Sequence, residues 1–170
     1  YKEGQADIAR FRGPRKPGHP GMDKIFKQIK AILTEPRIAI VGANFKFDMH
    51  WLWEKWGIKC TNCTTDTLLV GSLLNENISN SVSNHAKIYT DIGGYSDEFD
   101  RLTDKGRMQD VPAEDFRVYA GGDTDAVYRS RIKLAHTMIQ QPRLLNLYKR
   151  VVHPASHAFF EMEHTGILVD

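Results

Sequence analysis

Two carboxylates and a phenol stand out by type and spacing. Phe116, Tyr119, Ala120, Asp123 and Val127 recur at the interval of one helical face, which turns Asp123 inward. An ionised carboxylate removed from water is costly unless a cation or hydrogen bonds compensate it, so an inward Asp123 requires a partner. Tyr119 lies one turn earlier on the same face, and its hydroxyl and the Asp123 carboxylate can address one small volume. A helix rotated to leave Asp123 half exposed fits the spacing as well. Asp125, two residues on, is expected to be a surface acid. A second group follows RIAIV, residues 37–41, an apolar β-branched run closed by Gly42 that reads as a fully buried strand. Ligands of open α/β sheets bind outside the carboxyl ends of the strands, which is where Asn44 and Asp48 of GANFKFD then lie. Asp48 can hold a divalent cation directly or through water, and Asn44 can hydrogen-bond a sugar or phosphate. Helix capping is the alternative for both.

The elements that must position these groups follow from periodicity and punctuation. A helix is expected from Met22, with Ile25, Phe26, Ile29, Ile32 and Leu33 on one face, and it ends at Pro36. A further helical piece runs from about Phe47 to Trp56. It holds Trp51, Trp53 and Trp56, read as packing residues ahead of base stacking. TLLVGSLLN (67–75) and Ser81–Tyr89 read as short helices, and residues 90–112 as one long loop. Asp110 is a cap candidate for a helix that continues to about Ile139, with Pro112, Glu114 and Asp115 in its first turn. Pro142 breaks that helix. A last one spans about Leu144–Glu163 and is kinked at Pro154. At the start of the chain, YKEGQADIARF resembles pieces of a hairpin, and the Pro/Gly-rich stretch 12–21 reads as a loop. A helix, a buried strand and another helix in this order indicate an α/β sheet.

Composition narrows the function classes. The chain has 170 residues, 41% hydrophobic and 26% charged, enough for one core and too ordered for a disordered tail. No apolar run is long enough for a membrane span, and the N-terminal residues lack the apolar centre of a signal peptide, so a cytoplasmic protein with no membrane partner is expected. Residues 1–60 carry 12 Lys+Arg against 6 Asp+Glu, a mildly basic half that suits a polyanion as well as plain solvation. Cys60 and Cys63 have the spacing of half a zinc site or of a redox pair. No second pair completes the site, and His153 and His157 straddle Pro154. Gly121 and Gly122 within a helix weaken it, which suggests a close approach of backbone, ligand or a packed side chain. There is no phosphate-loop pattern and no G-x-S-x-G turn.

Taken together, NFKFD after a strand and YAGGD on a later helix resemble the second and third exonuclease motifs of the proofreading domain in family A DNA polymerases. DTLLVGSLLN is similar to the helix after the second motif, and HPASHAFFEMEHTGILVD resembles the helix leading into the polymerase domain. The resemblance covers about residues 37–170, and NHAKIYTDIGGY looks more like the phage enzymes; for a phage-encoded protein the resemblance implies the host cytoplasm. It implies a ribonuclease H-like α/β fold with a mixed sheet flanked by helices. It also implies an exonuclease domain over residues 1–143 and a connection to a polymerase domain in the same chain over 144–170. The implied activity is 3′–5′ hydrolysis of a single-stranded DNA end at a primer-template, with two divalent cations, Mg²⁺ or Mn²⁺, about 4 Å apart. Carried over residue by residue, Asp48 and Asp123 are metal ligands, Tyr119 orients the attacking water, Asn44 contacts the terminal nucleotides, and Lys46 and Phe47 contact DNA. The family's first motif, Asp-x-Glu on an opening strand, does not occur before Asp48, and Asp7 is the one acid near a strand-like stretch there. The chain is therefore expected to be a fragment that starts after the first strand or strands. A non-catalytic support for the polymerase domain, or a stand-alone relative resembling ribonuclease D, are the alternatives.

Overall fold

The structure, a computed structural model, describes residues 20–167. The hairpin-like start, Asp7 and most of the segment 12–21 lie outside the described residues, as do residues 168–170. Helix α1 spans Pro20–Thr34. Its Leu33 joins a cluster around Met49, Cys60 and Phe160, and Phe26 meets the edge of Trp56 at 4.9 Å. Ile25 and Ile32, on the same apolar face, are exposed.

A βαβ unit follows, made of β1 (Ile40–Gly42), α2 (Phe45–Trp56) and β2 (Cys63–Asp66). The strands are parallel, with Ile40 opposite Cys63 and Gly42 opposite Asp66. They are the only two strands among the described residues, which therefore hold no mixed sheet. β1 is shorter and later than the RIAIV run suggests, and only Gly42 in it is buried. The cause is Asn62. Its amide group donates to the carbonyls of Ile32, Glu35 and Ile38 at 3.0, 2.9 and 2.8 Å, closing the end of α1 and holding residues 35–38 as a turn. Helix ends leave carbonyls without intrahelical partners, and the buried Asn62 satisfies that of Ile32 while tying down Glu35 and Ile38 beyond the helix. Cys60 Sγ donates to Asn62 Oδ1 at 3.2 Å, so the C-x-x-C segment belongs to this clip. Both cysteines are free and buried, and burial pushes the Cys63 thiol up to about 12.

Helices α3 (Thr67–Leu74) and α4 (Val82–Tyr89) occur where expected, with Ser81 capping α4 through the Asn84 N–H. The His85 ring sits against Gly71, where any Cβ would lie 2.5 Å from it, so α3 and α4 close on a residue without a side chain. The stretch 90–112 is not one loop. It contains α5 (Asp97–Leu102) and a 3₁₀ helix at Lys105–Asp110. Asp110 pairs with Arg107 and does not cap the next helix, α6 (Ala113–Ile139), whose N-cap is Pro112 with no side-chain bond.

At 27 residues, α6 is about 40 Å long and packs on α3, α4 and β1. Its buried ridge is Ala126, Ser130, Leu134 and Met138, with Asp125 beside it. This reverses the expectation for Asp125, which is 8% exposed and accepts from Arg129 Nε at 2.9 Å, while Arg129 also reaches Asp91 at 2.8 Å. The C-terminal run consists of α7 (Pro142–Leu147), a π turn (Tyr148–Val152) and α8 (His153–Thr165). The expected irregularity at Pro154 takes the form of that π turn, because proline offers no N–H to the preceding turn. Leu134 and Met138 meet Val70 and Tyr148 in the larger core cluster. Among the described residues no helix is long and apolar enough to cross a membrane.

Candidate active site

The NFKFD turn is positioned by one buried carboxylate that the motif itself does not contain. Asp66 ends β2 and caps α3, its Oδ1 accepting from the N–H groups of Leu68 and Leu69 at 3.0 and 3.3 Å. The same carboxylate crosses to the end of β1, where it accepts from the N–H groups of Asn44 at 3.1 Å and Phe45 at 2.8 Å. One side chain thus closes the N-termini of α2 and α3, and the Thr67 hydroxyl adds a bond to the Gly42 carbonyl at 3.2 Å. Tyr148 ties in the C-terminal run, its hydroxyl accepting from the Asp66 N–H at 3.0 Å. Between the two anchored N–H groups the backbone takes a left-handed step at Asn44, φ 54°, a conformation that Asn tolerates better than most residues. Asn44 occupies the cap position of α2 but makes no side-chain cap bond, so its exposed amide is left facing outward.

Asp48 stands in the first turn of α2, beyond the carboxyl ends of both strands. Its surface is open, yet enough protein surrounds the carboxyl to push it from 3.8 up to about 6, first by desolvation and then by the charge of Asp66. A cation beside it would offset both causes. Lys46 is engaged with α8, its Nζ 2.5 Å from Glu163 Oε1, and His50 lies 3.0 Å from the other Glu163 oxygen. Phe47 is exposed.

A second group lies on α6. Tyr119 stacks on Phe99 of α5, ring centroids 4.1 Å apart and 12° from parallel. Both line a cleft of about 710 Å³ between α5, the 3₁₀ helix and the start of α6. Asp123 is half-buried and accepts a hydrogen bond from the Tyr95 hydroxyl. Burial, and then the bond to Asp123, raise the Tyr95 phenol far above its usual range, so it stays protonated and donates. Gly122 makes this contact feasible, since a Cβ there would lie 2.3 Å from the Tyr95 ring. Gly122 of YAGGD therefore admits an aromatic ring to the acid that follows it.

The structure thus sets Asn44 and Asp48 near Asp66 at the end of the sheet, Tyr95 and Tyr119 in the lining of the cleft, and Asp123 on the Tyr95 hydroxyl. α6 packs against β1, which leads into the first group. Sequence reasoning assigned no role to Asp66 or Tyr95. Asp66 had a signal, an Asp-Thr pair directly before an apolar helical run, whereas nothing local marks Tyr95. The donors fit a hard divalent cation in kind, because Asp48 and Asp123 are both carboxylates. In number they fall short: no group of three or more His, Cys, Asp or Glu that could hold a metal occurs among the described residues. His153 and His157 have ring centroids 4.9 Å apart, and they form no such group with the cysteines.

The comparison with curated proteins found no match. A family model described as 3′–5′ exonuclease, that of family A DNA polymerases, matches residues 17–139, which include NFKFD, DTLLVGSLLN and YAGGD. The chain belongs to the 3′–5′ exonuclease domain family of family A DNA polymerases.

Proposed function

We propose that this chain is a proofreading 3′–5′ exonuclease domain that removes nucleotides from the frayed single-stranded 3′ end of a primer. Asp48 and Asp123 are the ligands that the described residues offer to divalent cations, Mg²⁺ or Mn²⁺. When bound, such ions neutralise the scissile phosphate and lower the pKa of the attacking water. Tyr119 orients that water, and its stacking on Phe99 fixes the ring from which the hydroxyl projects. Tyr95 holds the Asp123 carboxyl in place, and Asp66 holds the turn that carries Asn44 and Asp48. Asn44 contacts the terminal nucleotide, while Lys46 and Phe47 flank the strand. Residues 144–170 lead into a polymerase domain.

The observation that carries this reading is the placement of Tyr119 and Asp123 one turn apart on α6, with Tyr119 and the Asp123 partner Tyr95 both in the lining of the cleft, in a chain of the exonuclease family. The test is shortening of a 5′-labelled single-stranded DNA in Mg²⁺ or Mn²⁺. Asp123→Ala is expected to abolish it, and Tyr119→Phe to slow hydrolysis while leaving DNA affinity unchanged. A folded wild-type protein that binds the DNA and shortens none of it overturns the catalytic reading in favour of a non-catalytic support for the polymerase domain.

A further inference from the structure

The segment that carries Tyr95, residues 91–95 between α4 and α5, is fastened to α6 at two points. At one end Asp91 Oδ1 accepts from Arg129 Nη1 at 2.8 Å, and at the other the Tyr95 hydroxyl donates to Asp123. Asp123 and Arg129 are six residues apart on α6, about 9 Å along its axis. The segment therefore crosses α6 as a strap that runs against the direction of the helix. Its middle is Gly93 and Gly94. A Cβ at Gly93 would lie 2.8 Å from the Lys87 Cα, and Gly94 takes φ 88°, so the strap turns sharply where no side chain anchors it.

The fastening at Arg129 is not needed to neutralise Arg129 itself. The side chain is 14% exposed, and a guanidinium so enclosed requires a counter-charge. Asp125 supplies it from within α6, accepting from Nε at 2.9 Å. The second carboxylate, Asp91, is 79% exposed, where water also satisfies it. What its bond adds is a fixed point for the strap on a donor that packing immobilises. The other contacts of the strap are local or weak. The Tyr95 N–H donates to the Ile92 carbonyl at 3.3 Å and moves with the turn, and the Lys87–Asp97 pair is exposed on both sides, a kind that holds little. Thr90 is bonded back to the Ala86 carbonyl at 2.6 Å, so α4 fixes the chain as far as Thr90 and Arg129 fixes the next residue. The Tyr95 ring has to pass over Gly122 to reach Asp123, and a displaced strap loses that bond.

We propose that Arg129 is a positioning residue: through Asp91 and the strap it places Tyr95, and so sets the orientation of the Asp123 carboxyl. The consequence for hydrolysis rests on the exonuclease reading, whereas the link from Arg129 to Tyr95 does not. Removing Arg129 would strand the buried Asp125 carboxylate, so the test is made at exposed Asp91. The variants are Asp91→Asn, Asp91→Glu, Tyr95→Phe, and Asp91→Asn combined with Tyr95→Phe, all in the full chain. Amide hydrogen exchange over residues 92–97 reads the strap without reference to activity, and the urea midpoint reads the fold. kcat and KM on a 5′-labelled single-stranded DNA read the site. Asp91→Asn is expected to speed exchange over 92–97 about tenfold with the urea midpoint unchanged, and to lower kcat about tenfold with KM unchanged. Asp91→Glu keeps the carboxylate and recovers most of both. The double variant is expected to be no slower than Tyr95→Phe, because one route to Asp123 can be lost only once. Losses in kcat that multiply in the double variant overturn the proposal, as does wild-type exchange in Asp91→Asn. A lowered urea midpoint with unchanged kcat overturns it as well, leaving Arg129 a residue of the fold alone. Faster exchange in Asp91→Asn, in a protein whose wild type shortens no DNA, keeps the link from Arg129 to Tyr95 and overturns the exonuclease reading.

Discussion

Asp48 is exposed to solvent and still resists ionisation, because neighbouring protein atoms and the charge of Asp66 both disfavour its anion. The consequence for stability has a definite sign. A carboxyl raised to about 6 in the folded chain binds more protons than the unfolded chain between that value and 3.8, so stability falls as pH rises through this window. Asp48→Asn removes the penalty. Its urea midpoint is expected to exceed that of wild type at pH 8 and to match it at pH 3.5, and equal midpoints at both would show that the carboxyl ionises normally. Asp123 faces the opposite circumstances. Tyr95 donates to it, and Gly122 leaves room for that ring. The helical spacing identified Asp123 as an acid needing a partner, but the partner comes from a residue 28 positions away, a pairing that no local pattern encodes.

At the scale of elements, the two strand ends are joined by one capping carboxylate. Asp66 accepts from four backbone N–H groups divided between α2 and α3. Asp66→Ala leaves all four without this partner, and a loss of about 3 kcal/mol in urea unfolding is expected, with the Asn44 turn the first segment to exchange its amides. A loss below about 1 kcal/mol would mean that water replaces the cap. Helices α1, α2, α3, α4 and α6 were legible because each carries an apolar repeat or a start signal over two or more turns. α5 and the 3₁₀ helix were not. Each has six residues, too few for a periodic pattern, and the Phe99–Tyr119 stack ties α5 to α6. β1 was read too early because RIAIV fits a strand locally, while the Asn62 amide draws the preceding carbonyls into a turn.

Across the whole molecule, α8 is fastened to α2 by a buried contact and by a rim of charge. Phe160 packs with Met49 and Cys60, while Glu163 holds Lys46 and His50, and Glu161 lies 2.6 Å from Lys59. The bonds from Lys46 and His50 hold the Glu163 carboxyl below its usual range, so its contribution is present at neutral pH and lost as pH falls through that lowered value. Exposed pairs of this kind add little to stability, but Lys46 is committed to a carboxylate where a DNA phosphate would compete. Glu163→Gln is expected to leave the fold intact and to strengthen binding of single-stranded DNA at low salt. The slope of log affinity against log salt should steepen by about one contact, and an unchanged slope would place Lys46 off the DNA path. Residue type, helical spacing and the motifs are local properties, so the acids, the phenol and the helix that presents them were legible in the sequence. It took the packing of distant elements to bury Asp125, to set Tyr95 on Asp123 and Asp66 under the turn before Asp48, to occupy Lys46 with Glu163, and to leave Trp51 in water. Each of these depends on which distant element packs against the residue, and packing is settled by the chain as a whole.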